Sequence, residues 1–202
     1  MNPEQLEIIN RVKEMYFRYG IKSVTMDDVA RELSISKKTL YQHFSDKEKL
    51  VDEVVKVLLV EKTGIVDKLI SECPDAISEM VTIHQFMDKM SREHSYAMDN
   101  DLRKYYPVTF NQIVTNKRAH MYKVAIENIQ RGQKEGFYRP EVNGEIIAKT
   151  VLVRFESSFD SCIFTFEEML TKEFFNEILN YHVRGIATPK GIKRLEEILA
   201  TL

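Results

Sequence analysis

Nearly every segment of this chain repeats its apolar residues with a period of 3.6, and none shows the sustained alternation of a half-buried strand. That pattern restricts the chain to helices packed on helices. Its 202 residues, 44% of them hydrophobic, can bury a real core, either as one generous domain or as a small domain joined to a larger one. The most apolar run, "VVKVLLV", is far shorter than the roughly 20 residues of a membrane span and carries Lys56. The N-terminus "MNPEQLEII" lacks the basic region and cleavage site of a secretion signal, so a cytoplasmic location with no membrane partner is expected. Cys73 and Cys162 stand far apart, as reduced, small hydrophobes would.

Helix punctuation divides the chain. Asn2-Pro3 reads as a cap with Pro at the first helical position, and Leu6, Ile9, Val12, Met15, Tyr16 and Tyr19 form a stripe ending at Gly20. A short helix follows Thr25 with Val29, Ala30 and Leu33 inward. "SIS" breaks it, and a third helix covers residues 37–44. Ser45 and Glu48 have the spacing of a capping box that opens a long fourth helix. Further helical patterns run over about 74–97, 100–105, 108–134, 143–165 and 171–185, with "RGQKEGFYRPEVNG" as a loop and Thr188-Pro189 opening a last helix.

The chemistry concentrates in residues 37–44. A helix ending at Leu33, a turn of about three residues and a second short helix have the spacing of a helix-turn-helix. Ile35 plugs the turn, and Ala30 supplies the small side chain where the helices cross. With Leu40 pointing inward, Phe44 lies about 40° away, while Lys38 and Gln42 fall at about 160° and 200°. Thr39 and Tyr41 flank them. No acid occurs between Glu32 and Asp46, although the net charge of the chain is −2. The outward face therefore carries only groups able to donate hydrogen bonds, which suits a phosphate backbone and base edges in the major groove of double-stranded DNA. Gln42 has the form to read an adenine edge. Lys37 and Lys38 can reach guanine or phosphate, and Thr39, Tyr41 and His43 suit phosphate oxygens. Thr25 and Lys47 open neighbouring helices, whose free N–H groups also favour an anion. A capped amphipathic helix with a merely solvated polar face is the bland alternative.

The stretch "VTMDDVARELSISKKTLYQHFSDKEKL" resembles the DNA-binding signature of TetR-type transcriptional regulators. The likeness lies in Thr25, the "MDDVA" pattern, the third helix ending Leu-Tyr-x-His-Phe and the following Lys47-Glu48-Lys49-Leu50, with Phe17 and Gly20 upstream. Ser34 departs from it where many members have Gly, and Lys38 stands where a small residue is common. The resemblance implies an all-α fold, with an N-terminal three-helix helix-turn-helix domain (residues 1–48) and a larger C-terminal helical effector and dimerisation domain (residues 49–202). It implies DNA contacts at Thr25, Lys37, Thr39, Tyr41, Gln42, His43 and Lys47. It further implies a ligand-responsive repressor that binds a palindromic operator as a homodimer, is released by a small-molecule effector, and needs no cofactor.

Two apolar sets fit that scheme. Val151, Phe155, Phe159, Phe174, Phe175, Ile178 and Tyr181, with Ile147 and Leu179, offer a dimerising face on the two late helices. His84, Met87, Met90, Tyr105, Tyr106, Phe110, Tyr122 and Phe155 can line an adaptable cavity, although such residues more often pack a core. The rival readings are an all-helical enzyme and a dimeric DNA-binding protein with no effector. For the first, no metal-ligand, dinucleotide or P-loop spacing is present, and His43, His84, His94, His120 and His182 are scattered.

Overall fold

The computed structural model describes residues 2–92, 96–160 and 164–201, without the side chains of Tyr96, residues 155–160 and Phe166. His94 and Cys162 lie outside the described residues, as do the side chains of Phe155 and Phe159. The described residues form eleven helices and no strand, an all-α fold. They run α1 (Pro3–Tyr19), α2 (Met26–Glu32), α3 (Lys37–His43), α4 (Lys47–Ser71), α5 (Ala76–Arg92), α6 (Tyr96–Tyr105), α7 (Pro107–Lys134), α8 (Gly144–Asp160), α9 (Phe166–Met169), α10 (Lys172–Ile186) and α11 (Pro189–Leu199).

These helices gather into two compact units. The first runs to Thr63 and resumes with α6 as far as Lys117; the second holds Gly64 to the end of α5 and Arg118 onwards. In the first, α1 starts as its residues dictate. Asn2 accepts a hydrogen bond from the Gln5 amide at 2.8 Å while the Gln5 side chain accepts one from the Asn2 amide, and Pro3 is the first helical residue. The buried stripe is Ile8, Ile9, Val12, Met15 and Tyr16. Leu6 and Tyr19, at the margins of the expected stripe, stay exposed, and Ile8 takes the inward place. The core also takes in Val51, Val54, Val55 and Leu58 of α4 and Met98 and Leu102 of α6, with Tyr106 and Phe110 packed against it. Its compaction therefore extends well past residue 48.

Helix α4 opens one residue later than its sequence suggests. Asp46, not Ser45, accepts the Lys49 amide, at 2.7 Å, and Ser45 donates its hydroxyl to the Asp46 carboxylate at 2.8 Å. A charged acceptor at the positive end of a helix outcompetes a hydroxyl. That amide bond holds the Asp46 carboxyl below its usual range.

In the second unit, Ala76, Ile77 and Val81 of α5 pack with Leu179, Val183 and Ile186 of α10 and Leu195 of α11. Leu179, expected on an open face, belongs to this core, where it is 3% exposed. A buried polar knot ties α5 to the end of α7. Tyr138 donates to Asn128 Oδ1 at 3.1 Å, and Asn128 donates to the Ala76 carbonyl at 2.9 Å. Arg131 bonds Glu79, Glu135 and the Cys73 carbonyl. Glu135 in turn caps α5 by accepting the Ala76 amide at 2.8 Å. Gly132 lies under the Tyr138 ring, and a Cβ there would fall 2.1 Å from the ring. Thr188 caps α11 by accepting the Gly191 amide, with Pro189 first in the helix.

Candidate nucleic-acid interface

The α2–turn–α3 segment is fixed from both ends and from behind. Thr25 caps α2 in a reciprocal box with Asp28: its hydroxyl accepts the Asp28 amide at 3.1 Å and donates to the Asp28 carboxylate at 2.6 Å. Those bonds hold the Asp28 carboxyl below its usual value. The turn passes through Ser34 at φ 55°, the left-handed region that Gly enters most readily. Ser34 donates its amide to the Arg31 carbonyl and Ile35 to the Ala30 carbonyl, which ties the turn back to α2. Ser36 then caps α3 by accepting the Thr39 amide at 3.0 Å. Behind α3, Leu40 and Phe44 are fully buried against the first unit's core.

The outward face is as the helical wheel predicts: Lys38, Tyr41 and Gln42 are exposed. Lys38 has no ion pair among the described residues. The other members of the predicted set are more committed. Lys37 pairs with Asp27 of α2, and both are exposed. Thr39 is half-buried, with its hydroxyl 2.8 Å from that of Ser36. The His43 side chain is only 13% exposed, with Nε2 3.5 Å from the Glu4 carboxylate of α1, and its carbonyl accepts from Gln5 at 3.4 Å. The acids Asp27 and Glu4 come from other helices, so a window restricted to the segment between Glu32 and Asp46 does not reveal them.

Lys47 is the most altered member. Its ammonium donates to the Ile21 carbonyl at 2.7 Å and the Lys22 carbonyl at 3.3 Å. Burial pulls its pKa down, and the charges of Asp101 and Asp28 push back. An ammonium has three donors, so one N–H is left for another partner.

The two apolar sets are distributed rather than joined. Of the cavity set, Tyr106 and Phe110 pack on the first unit's core, and Tyr105 lies at the surface with the Lys22 and Lys104 ammoniums 5.1 and 5.3 Å from its ring. His84, Met87, Met90 and Tyr122 are half-buried in the second unit. His84 Nε2 lies 2.7 Å from the Phe175 carbonyl, and Tyr122 packs on Ala125, Ile129 and Ala148. A surface hollow of about 590 Å³, lined by Glu127, Gln130, Arg131, Gln133 and Lys134, includes none of them. Of the dimerising set, Val151, Phe174, Phe175 and Ile178 are half-buried, and Tyr181 is 78% exposed. Ile146 and Val153 of α8 are also exposed, though neither stood out in the sequence. Among the described residues no group of three or more acids, histidines or cysteines could hold a metal ion, and no helix is long and apolar enough to cross a membrane.

Residues 8–54 match the family described as bacterial regulatory proteins, tetR family. This segment, which holds α2, the turn and α3, carries the tetR-family signature. A transcriptional repressor, KstR2 of Mycolicibacterium smegmatis, is 21% identical over 150 residues, 72% of each protein. An uncharacterized HTH-type transcriptional regulator of Bacillus subtilis, YhgD, is 24% identical over 194 residues, 89% of this chain and 95% of that one. Among solved structures, a transcriptional regulator of Cytophaga hutchinsonii has the same fold with a TM-score of 0.74 at 20% identity, covering 93% of this chain and all of that one. The fatty acid degradation regulator FadR of Bacillus halodurans aligns with a TM-score of 0.63 at 12% identity, covering 91% and 96%. These matches support a DNA-binding transcriptional regulator.

Proposed function

We propose that this protein is a homodimeric TetR-type repressor that binds a palindromic operator and leaves it when a small-molecule effector binds. The observation that carries the operator reading is the exposed α3 face, where Lys38, Tyr41 and Gln42 stand out from a helix anchored by Leu40 and Phe44. A single helix of seven residues reads few bases, so two symmetry-related copies on two half-sites are needed for specificity. Gln42 reads a base edge, and Lys37, Lys38, Thr39, Tyr41 and His43 fix the register on phosphates. The N-terminus of α2 at Thr25 and the remaining donor of Lys47 add phosphate contacts, so the DNA-reading role belongs to residues 1–48 and control to the rest.

The exposed apolar side chains Ile146, Val153 and Tyr181 of α8 and α10, with Val151, Phe174, Phe175 and Ile178, support pairing of two copies. Half-buried His84, Met87, Met90 and Tyr122 support a largely apolar effector in the second unit. Release then requires only that the effector bind more tightly to a form whose α3 helices no longer match the half-sites. A cytoplasmic location follows from the DNA target. Selection of bound sequences from random duplex DNA tests the operator reading. A palindromic motif with half-sites about one helical turn or more apart supports it. Recovery of no enriched sequence refutes it.

A further inference from the structure

The turn between α1 and α2 is gripped by a residue that lies 79 positions away in the chain. Helix α1 ends at Gly20 with φ 77°. The next residues lead directly to Thr25, the cap that starts α2 and hence the helix-turn-helix. Asp101 of α6 accepts the Lys22 amide at 2.8 Å. The carboxylate also sits against the Gly20 backbone, since a Cβ at Gly20 would lie 3.0 Å from Asp101 Oδ2. One helical turn further along α6, Tyr105 has the Lys22 ammonium 5.1 Å from its ring. From the other side, Lys47 at the start of α4 holds the carbonyls of Ile21 and Lys22. Helix α6 is itself seated by Met98 and Leu102 in the first unit's core.

From this geometry we infer that Asp101 is a positioning residue for operator recognition: without touching DNA, it fixes the Gly20–Lys22 turn and so the placement of α2 and α3. Its carboxylate holds the turn's amide while Lys47 holds the turn's carbonyls. Releasing one side leaves α2 and α3 anchored in the core but free to shift at their entry. A shift at that entry lowers the fraction of molecules whose two α3 helices fit both half-sites, and apparent affinity falls by that fraction. Non-specific binding, which asks only for positive charge near phosphates, has no such requirement.

The inference rests on the operator reading, and the test separates the two. Wild-type protein is first used to select a duplex from random DNA; binding to that duplex and to a scrambled duplex is then measured for full-length Asp101→Asn, Asp101→Glu and Asp101→Ala. The Asn amide oxygen can still accept the Lys22 amide, whereas Glu keeps the charge but is one methylene too long for the space beside Gly20. A positioning role therefore predicts near wild-type affinity for Asp101→Asn. For Asp101→Glu and Asp101→Ala it predicts an affinity for the selected duplex about tenfold lower, as when the competent fraction falls to a tenth. Binding to the scrambled duplex should stay within about twofold of wild type, because the phosphate-neutralising lysines are unchanged. If Asp101 acts only as a negative charge near DNA, Asp101→Asn binds both duplexes more tightly and Asp101→Glu matches wild type. That result overturns the inference, as does wild-type selectivity in both Asp101→Glu and Asp101→Ala. Thermal melting identifies any variant that fails to fold. Should Asp101→Ala be one, the opposed expectations for Asn and Glu still decide the matter.

Discussion

The α3 face and the Asn128–Tyr138 knot use the same kinds of side chain, amides, tyrosines and cations, in opposite ways. On α3, Tyr41, Gln42 and Lys38 are exposed, and Lys37 is held by one exposed acid. In the knot, Tyr138 and Asn128 are fully buried, and Glu79 is 3% exposed. There, Asn128, Tyr138, Glu79 and Arg131 each have a protein partner. Burial therefore turns polar groups into structure, because an unmet partner in the interior is costly, whereas exposure leaves them available to a second molecule. If the contrast holds, variants in the knot lose stability and variants on α3 lose DNA recognition.

The largest effect is expected at Arg131. Replacing it by Met keeps the aliphatic stem but leaves the buried Glu79 carboxylate without its cation, a loss of about 3–5 kcal/mol. Burial already raises the Glu79 pKa against the pull of Asn128 and Arg131, so protonation relieves the variant. Urea unfolding should show a deficit that is largest at neutral pH and shrinks on acidification. A deficit independent of pH would mean that packing, not charge, is what Arg131 supplies.

A second effect comes from His182 of α10, buried with Nε2 lacking a hydrogen-bond partner among the described residues. Burial, reinforced by the charge of Arg154 and by His84, pushes its pKa down to about 4 from the usual 6.5. Between those values the folded state binds fewer protons than the unfolded one. Stability therefore begins to fall below pH 6.5, and the loss is complete near pH 4. The shift corresponds to about 3 kcal/mol. His182→Phe, which keeps a ring of similar shape, should flatten that part of the stability profile, while an unchanged profile would assign the acid sensitivity elsewhere.

On α3 the sharpest test is Gln42→Ala. It should relax preference at one base position per half-site, by about 1–3 kcal/mol of discrimination, and leave the melting temperature unchanged. An unaltered sequence preference would assign base reading to a different side chain.

How much of this was readable in advance depends on the range of each interaction. The caps at Asn2, Thr25 and Thr188, the stop at Gly20 and the inward pair Leu40 and Phe44 involve neighbours a few residues apart, so composition and spacing disclose them. The helix-turn-helix was legible for the same reason. Where two adjacent residues compete for one cap, as Ser45 and Asp46 do, spacing alone misplaces the start by one. The knot was hidden because Asn128 and Ala76, or Arg131 and Glu79, are 52 residues apart, and "RGQKEGFYRPEVNG" reads locally as a loop. Asp101, and the grip of Lys47 on the same turn, are silent for the same reason. Their partners are backbone groups of a distant turn, which leave no mark in side-chain pattern.

The smallest effect bears most directly on the donor face itself. Lys37 has an acidic partner, so in the free protein its charge is not fully available to DNA. The pair with Asp27 is exposed at both ends, and such pairs contribute at most about 1 kcal/mol to stability. Exchange of the carboxylate for a phosphate is therefore nearly free. Lys37→Ala should weaken binding on all sequences alike and reduce the salt slope by about 1, with almost no change in melting temperature. Asp27→Asn should do the reverse, leaving Lys37 unpaired and tightening binding at low salt. If both variants bind as wild type does, the Lys37–Asp27 pair survives in the complex, and its role is to join α2 to α3 rather than to meet the backbone of DNA.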